Sequence, residues 1–458
     1  MVGGWVAAVV TLAGCNARPI EEVEPPPTVA EVEPPRVTPD DSPWWRGLNG
    51  DGRPATRGIT PDWNLERASW ATPIPGRGHA DPTVVGERVY VPTAREDEQV
   101  QSVLCLDRAS GKILWETVVH RGHFSRKHPK NSHASSTIAC DGRFAFVAFL
   151  NDDAIHLTAL KPDGEIAWST RVGDFRPKHG YSPSPAIHGP LVIVAGDNEG
   201  GGFLAAVHRR SGQIVWKRAR PSAASLASPR VVTLFGKPQI VLAGCNRVAA
   251  YDPGTGRLLW ECPGVAETCV GTVVTDGERV FASGGYPETE TLAVLADGSG
   301  RPAWRNRTHA YVPSLLWHDG FLYVLRDSGT VHCFEAASGE ERWKKRLGGT
   351  FSASPVLIDD WIVVVDERGR ATMFRASGER YEQLATAQLG DEMFATPVAC
   401  GSEVFLRIAR YDGDRRQESI VRLGPFATEP SGDAQRGVRR TSSAEPKNTR
   451  ESPAASRR

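Results

Sequence analysis

Histidine side chains recur at one point of this chain's pattern, immediately before a short apolar segment, and they are the residues best suited to chemistry. His79, His133 and His179 take equivalent places in three successive repeats, with Asn131 and Tyr181 close to the second and third. Neutral imidazole binds transition metals, and beside amide and phenol groups it can also hold a sugar or peptide through hydrogen bonds. A third alternative is that each histidine hydrogen-bonds only its neighbouring backbone. The residue types leave all three alternatives open.

Acidic and amide side chains follow at a second recurring point, between the predicted second and third strands of each repeat. The loops at this point open on the same face as the histidine-bearing loops. The predicted ligand-binding funnel mouth comprises His79, Asn131, His133, His179, Tyr181, Asp152, Asp197, Asn198 and Tyr311. Its metal content stays open. No nucleophile, base and orienting group stand at a defined spacing, so no catalytic residue is assigned.

A repeated segment that ends in tryptophan must position these side chains. It reads C-L-D-R-A-S-G-K-I-L-W from Cys105 to Trp115 and returns from Tyr251 to Trp260. The predicted structural anchors of the repeats are Trp70, Trp115, Trp168, Trp216, Trp260, Trp304 and Trp343. A period of roughly 40 to 50 residues, made of short β-branched and aromatic segments separated by Asp, Gly and Ser turns, is typical of a β-propeller.

The number of repeats predicts an all-β, eight-bladed β-propeller of four-stranded antiparallel blades. Seven complete repeats begin at residues 82, 135, 184, 228, 271, 314 and 354. An eighth begins at Thr396 and ends near Leu423 without a tryptophan strand. The segment around Trp70 supplies the missing strand, and pairing it into the C-terminal blade leaves no open sheet edge. The alternative is a seven-bladed ring with an unrelated N-terminal strand.

The two ends of the chain differ in composition from the repeats. An apolar segment from Trp5 to Leu12 leads into Leu-Ala-Gly-Cys, which resembles a bacterial lipobox, so residues 1–15 are predicted to be a lipoprotein signal segment with lipidation at Cys15. Residues 16–42 are predicted to be a linker rich in Pro and Glu. Residues 43–426 form the predicted propeller, and residues 427–458 a disordered polar tail.

The balance of charges limits the classes of partner that the chain can bind. Lysine plus arginine equals aspartate plus glutamate at 54 each, so no basic stripe is available for nucleic acid, and an envelope protein or polymer is the expected partner. Membrane contact is expected only through the lipid anchor.

Cys262 and Cys269 are the only pair considered for a disulfide. The segment from His120 to Lys130 is the longest interblade insertion and is cationic, so it is a candidate for binding an acidic partner.

The repeat itself resembles a known family. The segments from Asp107 to Trp115 and from Asp252 to Trp260 are similar to the docking motif of PQQ-like, or quinoprotein-like, β-propellers. The segment from Trp45 to Gly52 resembles the opening of secreted bacterial proteins that carry this repeat. The resemblance implies the propeller fold. It leaves function open, because the family includes dehydrogenases that use pyrroloquinoline quinone (PQQ), scaffold lipoproteins of outer-membrane protein assembly, and members of no known role.

The residues decide between these functions only in part. The dehydrogenases of this family hold PQQ over Ca²⁺, above a disulfide between two adjacent cysteines, and no two cysteines here are adjacent. No cofactor is therefore expected. The leading interpretation is a non-catalytic cell-envelope lipoprotein, periplasm-facing or extracytoplasmic, whose propeller is a scaffold for protein or ligand binding. The alternative is a quinoprotein-type oxidoreductase, or another enzyme, that uses the histidine-lined funnel.

Overall fold

The computed structural model describes residues 30–426, and the predicted eight-bladed propeller is confirmed. Eight antiparallel sheets of four strands each follow one another around the ring. A 3₁₀ helix at Leu65–Arg67 leads into β1 (Ala68–Ile74), which belongs to the last blade. The predicted signal segment and polar tail lie outside the described residues.

The first four blades are built from consecutive strands. Blade one has β2 (Thr83–Val85), β3 (Arg88–Arg95), β4 (Val100–Asp107) and β5 (Ile113–Arg121). Blade two has β6 (Ala139–Cys140), β7 (Ala145–Asn151), β8 (Ala154–Leu160) and β9 (Ile166–Asp174). Blade three has β10 (Ala186–His188), β11 (Leu191–Gly196), β12 (Gly202–His208) and β13 (Ile214–Arg220). Blade four has β14 (Arg230–Leu234), β15 (Lys237–Gly244), β16 (Arg247–Tyr251) and β17 (Leu258–Pro263).

The remaining blades repeat this plan until the last, which borrows a strand. Blade five has β18 (Val274–Thr275), β19 (Arg279–Gly284), β20 (Glu290–Leu295) and β21 (Pro302–Asn306). Blade six has β22 (Leu316–His318), β23 (Phe321–Leu325), β24 (Thr330–Glu335) and β25 (Glu341–Arg346). Blade seven has β26 (Val356–Ile358), β27 (Trp361–Val365), β28 (Arg370–Arg375) and β29 (Gln383–Gln388). Blade eight has β30 (Val398–Cys400), β31 (Glu403–Asp412), β32 (Arg415–Leu423) and β1.

Strand β1 closes the ring as predicted. It pairs antiparallel with β32, with Ala71 opposite Val421. A buried ion pair strengthens the same joint, since the Arg407 guanidinium lies 2.7 Å from Glu418. Arg407 also donates to the carbonyl of Pro92 in blade one at 2.8 Å. The N-terminal strand therefore completes blade eight by main-chain pairing, Arg407 links that blade to blade one, and the seven-bladed alternative is wrong.

Every tryptophan anchor except Trp260 donates its indole N–H to the turn of the following blade. The indole N–H of Trp168 donates to the carbonyl of Arg209 at 3.2 Å, and the indole lies against Gly212. The hydroxyl of Thr170, two residues after the indole, donates to the carbonyl of Gly212 at 2.6 Å. Gly212 has φ +74, and a Cβ there would lie 2.7 Å from the indole. The repeated Gly and Trp are therefore two halves of one contact between neighbouring blades.

Trp260 departs from this arrangement, and so does blade seven, where Tyr381 takes the place of the tryptophan. Trp260 donates to the side chain of Gln239 within its own blade, at 2.9 Å, instead of to a carbonyl of blade five. In blade seven, β29 begins at Gln383, so Tyr381 lies in the turn before the fourth strand and not within it. The Tyr381 ring nevertheless packs on Trp343 of blade six, with ring centroids 5.8 Å apart.

An N-terminal segment at residues 42–57, here called the floor segment, crosses the face of the ring that carries the turns between first and second strands. The carbonyl of Pro43 accepts from Cys140 of blade two, and Arg46 donates to the carbonyl of Leu315 near blade six. The carbonyl of Gly52 accepts from Leu357 of blade seven. Burial lowers the pKa of Arg46 to about 10. The segment thus closes one end of the central channel with main-chain hydrogen bonds.

Seven cysteines lie in the described part of the chain, and all seven are free and buried. The suggested pairing of Cys262 with Cys269 is therefore wrong. Cys262 lies beside Arg305 on the outermost strand of its blade, whereas Cys269 packs against Gly284 of the next blade. Between residues 30 and 426, no helix has both the length and the apolar character needed to span a bilayer.

The contact between Gly212 and Trp168 gives a matched pair of substitutions. Gly212→Ala is expected to destabilise the ring more than Gly236→Ala, because both positions have positive φ but only Gly212 is packed against another residue. The backbone strain common to both is about 1–2 kcal/mol, and overpacking against the indole adds about 1–3 kcal/mol. Urea unfolding of both variants measures the difference. Equal losses would contradict the docking role of the glycine.

Candidate functional site

A cavity of about 340 Å³ lies on the axis of the ring. The floor segment closes it below, where Trp45 lines it, and loops between blades surround its mouth. Those loops and the connections between second and third strands share this face, because successive strands of each blade alternate in direction. This face is called the mouth face below.

Four of the nine residues predicted to form the funnel mouth line this cavity. They are His79, Asn131, His179 and Tyr311. Asn131 is held in place by its own hydrogen bonds, since its amide donates to the carbonyl of His179 at 2.8 Å and its oxygen accepts from Ser135 at 2.6 Å. Burial lowers the pKa of His179. The structure therefore brings the three loops together at one cavity.

The other five predicted residues lie away from the cavity lining. His133 packs on Phe124, with ring centroids 4.1 Å apart, and burial lowers its pKa to about 4. The hydroxyl of Tyr181 donates to the carbonyl of Ala195 at 3.0 Å within the apolar core. Asp152 is exposed on the mouth face. These side chains lie in the predicted loops, but the backbone of those loops points them away from the cavity.

Asp197 and Asn198 also make structural hydrogen bonds and do not line the cavity. Asp197 accepts from Arg220 at 2.6 Å within blade three, and Arg220 donates in turn to the hydroxyl of Tyr251 at 2.6 Å, which joins blades three and four. The amide of Asn198 donates to the carbonyls of Gly196 and Gly201, both at 3.0 Å, which fixes its turn. Both residues are fully engaged in structural hydrogen bonds.

Eight side chains encircle the channel at the start of each blade's first strand, and within residues 30–426 seven hydrogen bonds link them, with no bond between Ser228 and Thr272. In each link, a backbone N–H donates to a side-chain oxygen of another blade. For example, Thr137 donates to Ser184, and Ser184 to Ser228, at 3.0 and 2.9 Å. The positions are Asp81, Thr137, Ser184, Ser228, Thr272, Ser314, Ser354 and Thr396. Thr272 is distinguished by accepting from the Trp45 indole at 2.8 Å, which ties the floor segment into this hydroxyl ring.

Asp81 is the one carboxyl group in a ring otherwise made of hydroxyls. Its Oδ1 accepts from the backbone of Thr396 at 2.8 Å, and it is only 3% exposed. Burial raises its pKa to about 8, against a smaller opposing effect of the Thr396 hydrogen bond. Asp81 therefore lines the cavity mainly as a neutral acid at pH 7.

Aromatic rings form another part of the lining. The His79 imidazole is stacked on Phe394, with centroids 4.3 Å apart and an interplanar angle of 17°. Burial, reinforced by nearby arginines, lowers the pKa of His79 well below its ordinary value, so the imidazole is neutral. Its Nε2 is buried without a hydrogen-bond partner in the described part of the protein. Phe351 adds a further aromatic face.

The mouth of the cavity is crossed by an ion pair. The Lys130 ammonium lies 3.1 Å from Glu367 of blade seven, and Ser352 donates to the same carboxylate at 2.7 Å. The interblade insertion that carries Lys130 thus reaches across the mouth. Lys127 of the same insertion pairs with Glu96 at 3.3 Å.

Sequence reasoning missed Trp45, Asp81 and the hydroxyl ring as parts of the site. A signal for the ring is present, because proline follows the ring residue at Asp81, Ser184, Ser228, Ser354 and Thr396. Aligning the repeats on this Ser/Thr-Pro pair marks Asp81 as the only acid in the series. Nothing comparable marks Trp45, which lies outside the repeats.

PQQ with Ca²⁺, which the family resemblance raises, does not fit this lining. PQQ is a tricarboxylate, yet the lining carries Asp81, Asp327 and Glu367, while its single ammonium, on Lys130, is already paired with Glu367. Calcium takes six to eight oxygen ligands. Among residues 30–426, no group of three or more His, Cys, Asp or Glu side chains could hold a metal ion.

Comparisons with known proteins confirm the resemblance to PQQ-like propellers. The PQQ_2 family, described as "Outer membrane protein assembly factor BamB", matches residues 99–320 and 288–383, more than half of the chain. The protein of that name from Burkholderia pseudomallei (strain K96243) is 26% identical over 344 residues, which are 71% of this chain and 81% of the relative.

Solved structures agree on the architecture. BamB from Moraxella catarrhalis superposes with a TM-score of 0.56 at 15% identity, covering 77% of this chain and 99% of that one. Quinohemoprotein alcohol dehydrogenase from Comamonas testosteroni superposes with a TM-score of 0.61 at 11% identity, covering 83% and 80%. Identities this low show the fold alone, and a dehydrogenase therefore shares the ring without implying its chemistry.

The neutral state of Asp81 predicts a pH dependence of stability. The folded protein binds this proton more tightly than the unfolded chain, so the stabilisation is complete below about pH 4 and is lost as the pH rises to about 8. Asp81→Asn keeps the oxygen that accepts from Thr396 and cannot ionise. The difference in melting temperature between Asp81→Asn and the natural protein is expected to shift in favour of the variant as the pH increases from 4.5 to 8.5.

The exposed carboxyl of Asp152 provides the control. Asp152→Asn changes the net charge equally but touches no buried group, so its melting temperature should follow that of the natural protein across the range. If the difference in melting temperature between Asp81→Asn and the natural protein stayed constant with pH, Asp81 would not ionise within this pH range.

Proposed function

The chain belongs to the family described as outer membrane protein assembly factor BamB, and from this membership we propose that it is a non-catalytic scaffold of outer-membrane protein assembly. The match over more than half of the chain is the observation that carries the proposal. The relative from Burkholderia pseudomallei, which bears the family's name, aligns over 81% of its own length. A shared ring of this extent supports a shared mode of action through the surface of the propeller.

The construction of the ring also suits a scaffold. Every blade is fixed to its neighbours by buried contacts, and the floor segment adds hydrogen bonds from the N-terminal side. Such a body holds its surface loops in fixed relative positions, which lowers the entropy lost when a partner binds. The mouth face carries the longest loops, so we place the partner-binding surface there.

The proposal includes a lipid anchor and a periplasm-facing location. Cys15, within the Leu-Ala-Gly-Cys segment, is the proposed lipidation site, and it lies outside the described residues. The described chain begins on the floor side, where Arg36 donates its backbone N–H to Asp141 of blade two at 2.8 Å. An anchor attached upstream of Arg36 would therefore leave from the side opposite the mouth face.

Replacing the lipidated cysteine tests the anchor. Cys15→Ala is expected to move the protein from the membrane fraction to the soluble periplasmic fraction, because a thioether-linked lipid requires the cysteine sulfur. The measurement is fractionation of the native host followed by intact mass determination. Cys105→Ala, at a buried free cysteine, is the control and should stay in the membrane. Membrane retention of Cys15→Ala would contradict lipidation at this residue.

Two arginines of the long interblade insertion test the partner surface. Arg121 and Arg126 are exposed and form no ion pair with any described residue, unlike Lys127 and Lys130. We expect Arg121→Ser with Arg126→Ser to weaken the capture of acidic envelope partners by roughly three- to tenfold, as exposed charges do. Co-purification from detergent-solubilised membranes at fixed ionic strength measures the effect.

A matched pair on the opposite face separates location from charge. Lys112 and Arg257 are exposed in turns between third and fourth strands, on the floor side of the ring. Lys112→Ser with Arg257→Ser removes the same charge and should leave capture unchanged. Equal losses in both double variants would indicate a general charge effect and remove the insertion from the partner surface.

A further inference from the structure

The axial cavity contains hydroxyl groups whose protons form no hydrogen bond with the described residues. Four members of the hydroxyl ring line the cavity, and each accepts a backbone N–H: Ser184, Ser228, Ser354 and Thr396. Within residues 30–426 none of the four donates a hydrogen bond in return. A hydroxyl has one proton to donate and finds an acceptor when buried. These hydroxyls can therefore donate hydrogen bonds to acceptor atoms of a molecule in the cavity.

Aromatic side chains share the lining with these donors and favour a flat guest. Phe351 and the stacked pair of His79 and Phe394 line the cavity, and Trp45 forms its base. Aromatic rings gain most from another π-system stacked against them or meeting them edge to face. The buried Nε2 of His79, which has no partner among the described residues, adds one more polar atom beside these faces.

The lining offers a charged guest no free counter-ion among the described residues. Lys130 is the only ammonium in the lining, and Glu367 already neutralises it at 3.1 Å. Asp81 is held in its neutral form by burial, which shows how costly an ionic group is at this depth. The third carboxyl group of the lining, on Asp327, already accepts two backbone N–H groups at 3.1 Å, and burial raises its pKa. A buried charge without a partner is expensive, whereas a neutral polar molecule can be satisfied by the hydroxyls.

We propose that the axial cavity is a binding site for an uncharged, flat aromatic molecule that carries hydrogen-bonding atoms at its edge. The volume of about 340 Å³ falls within the range of small-molecule sites. The guest's ring lies against Phe351 and Phe394, and its edge atoms meet the hydroxyl ring. This site goes beyond the scaffold function and does not depend on it, since partner capture is assigned to loops on the mouth face.

Three tricyclic probes of different charge test the proposal on the full chain. Lumichrome is neutral, PQQ is anionic and proflavine is cationic. We expect lumichrome fluorescence to be quenched saturably at one site per protein, because stacking brings it next to Trp45 and Phe394. PQQ and proflavine are expected to bind at least tenfold more weakly, as measured by competition. Absence of saturable lumichrome binding, or tighter binding of either charged probe, overturns the proposal.

A filled cavity gives the second test. Ser182 lines the cavity, and its side chain makes no hydrogen bond with the described residues. Ser182→Trp should occupy the space and weaken lumichrome at least tenfold, whereas Ser222→Trp, an exposed position outside the lining, should bind like the natural protein. Unchanged affinity in Ser182→Trp would place the probe elsewhere and overturn the site.

One conservative variant keeps the test decisive if Ser182→Trp does not fold. Phe394→Leu retains an apolar side chain but removes the stacked face beside His79, and it should weaken lumichrome roughly three- to tenfold. Melting curves confirm that each variant is folded. Because partner capture is measured separately, loss of lumichrome binding with intact capture contradicts only this inference, and the converse contradicts only the scaffold.

Discussion

A four-stranded blade has two apolar faces, and only a neighbour on each side can cover both. This constraint requires the ring to close, and a single contact repeated between blades meets it. The indole of Trp168 reaches the turn at Gly212 because glycine leaves room for it and permits a positive φ. Where the contact changes, at Trp260, the indole finds a partner within its own blade. The ring is thus held by local pairs, each made by two consecutive blades.

Closure also determines what lies at the centre. Equivalent positions of eight blades meet around the axis, so one position per repeat places a hydroxyl group beside the channel in seven of the eight blades. A single substitution in that series, Asp81, then gives the cavity its one neutral acid. The floor segment, which belongs to no blade, supplies Trp45 and closes the channel. Chemistry at the axis therefore comes from departures from the repeat and not from the repeat itself.

Predictability from sequence follows the same division. The blades and the closing strand could be predicted, because glycine and tryptophan recur with the period of the fold and Trp70 keeps that period at the other end of the chain. The cavity was predicted only in part. Asp197 and Tyr181 lie in the expected loops, but a loop position does not fix the direction of a side chain, and both turn to buried partners. Trp45 reaches the axis through contacts that no periodicity encodes.

The strand that closes the ring has a consequence for how the molecule is made. The Gln417 amide donates to the carbonyl of Ile74, 343 residues earlier, and neighbouring main-chain pairs are equally distant in sequence. Such pairs form late, since bringing remote segments together costs loop entropy before any contact forms. During synthesis, blades one to seven can assemble in order while blade eight still lacks its inner strands. A newly made chain therefore passes through an open arc with two uncovered blade faces, and the pairing of residues 398–423 with β1 ends its exposure to aggregation.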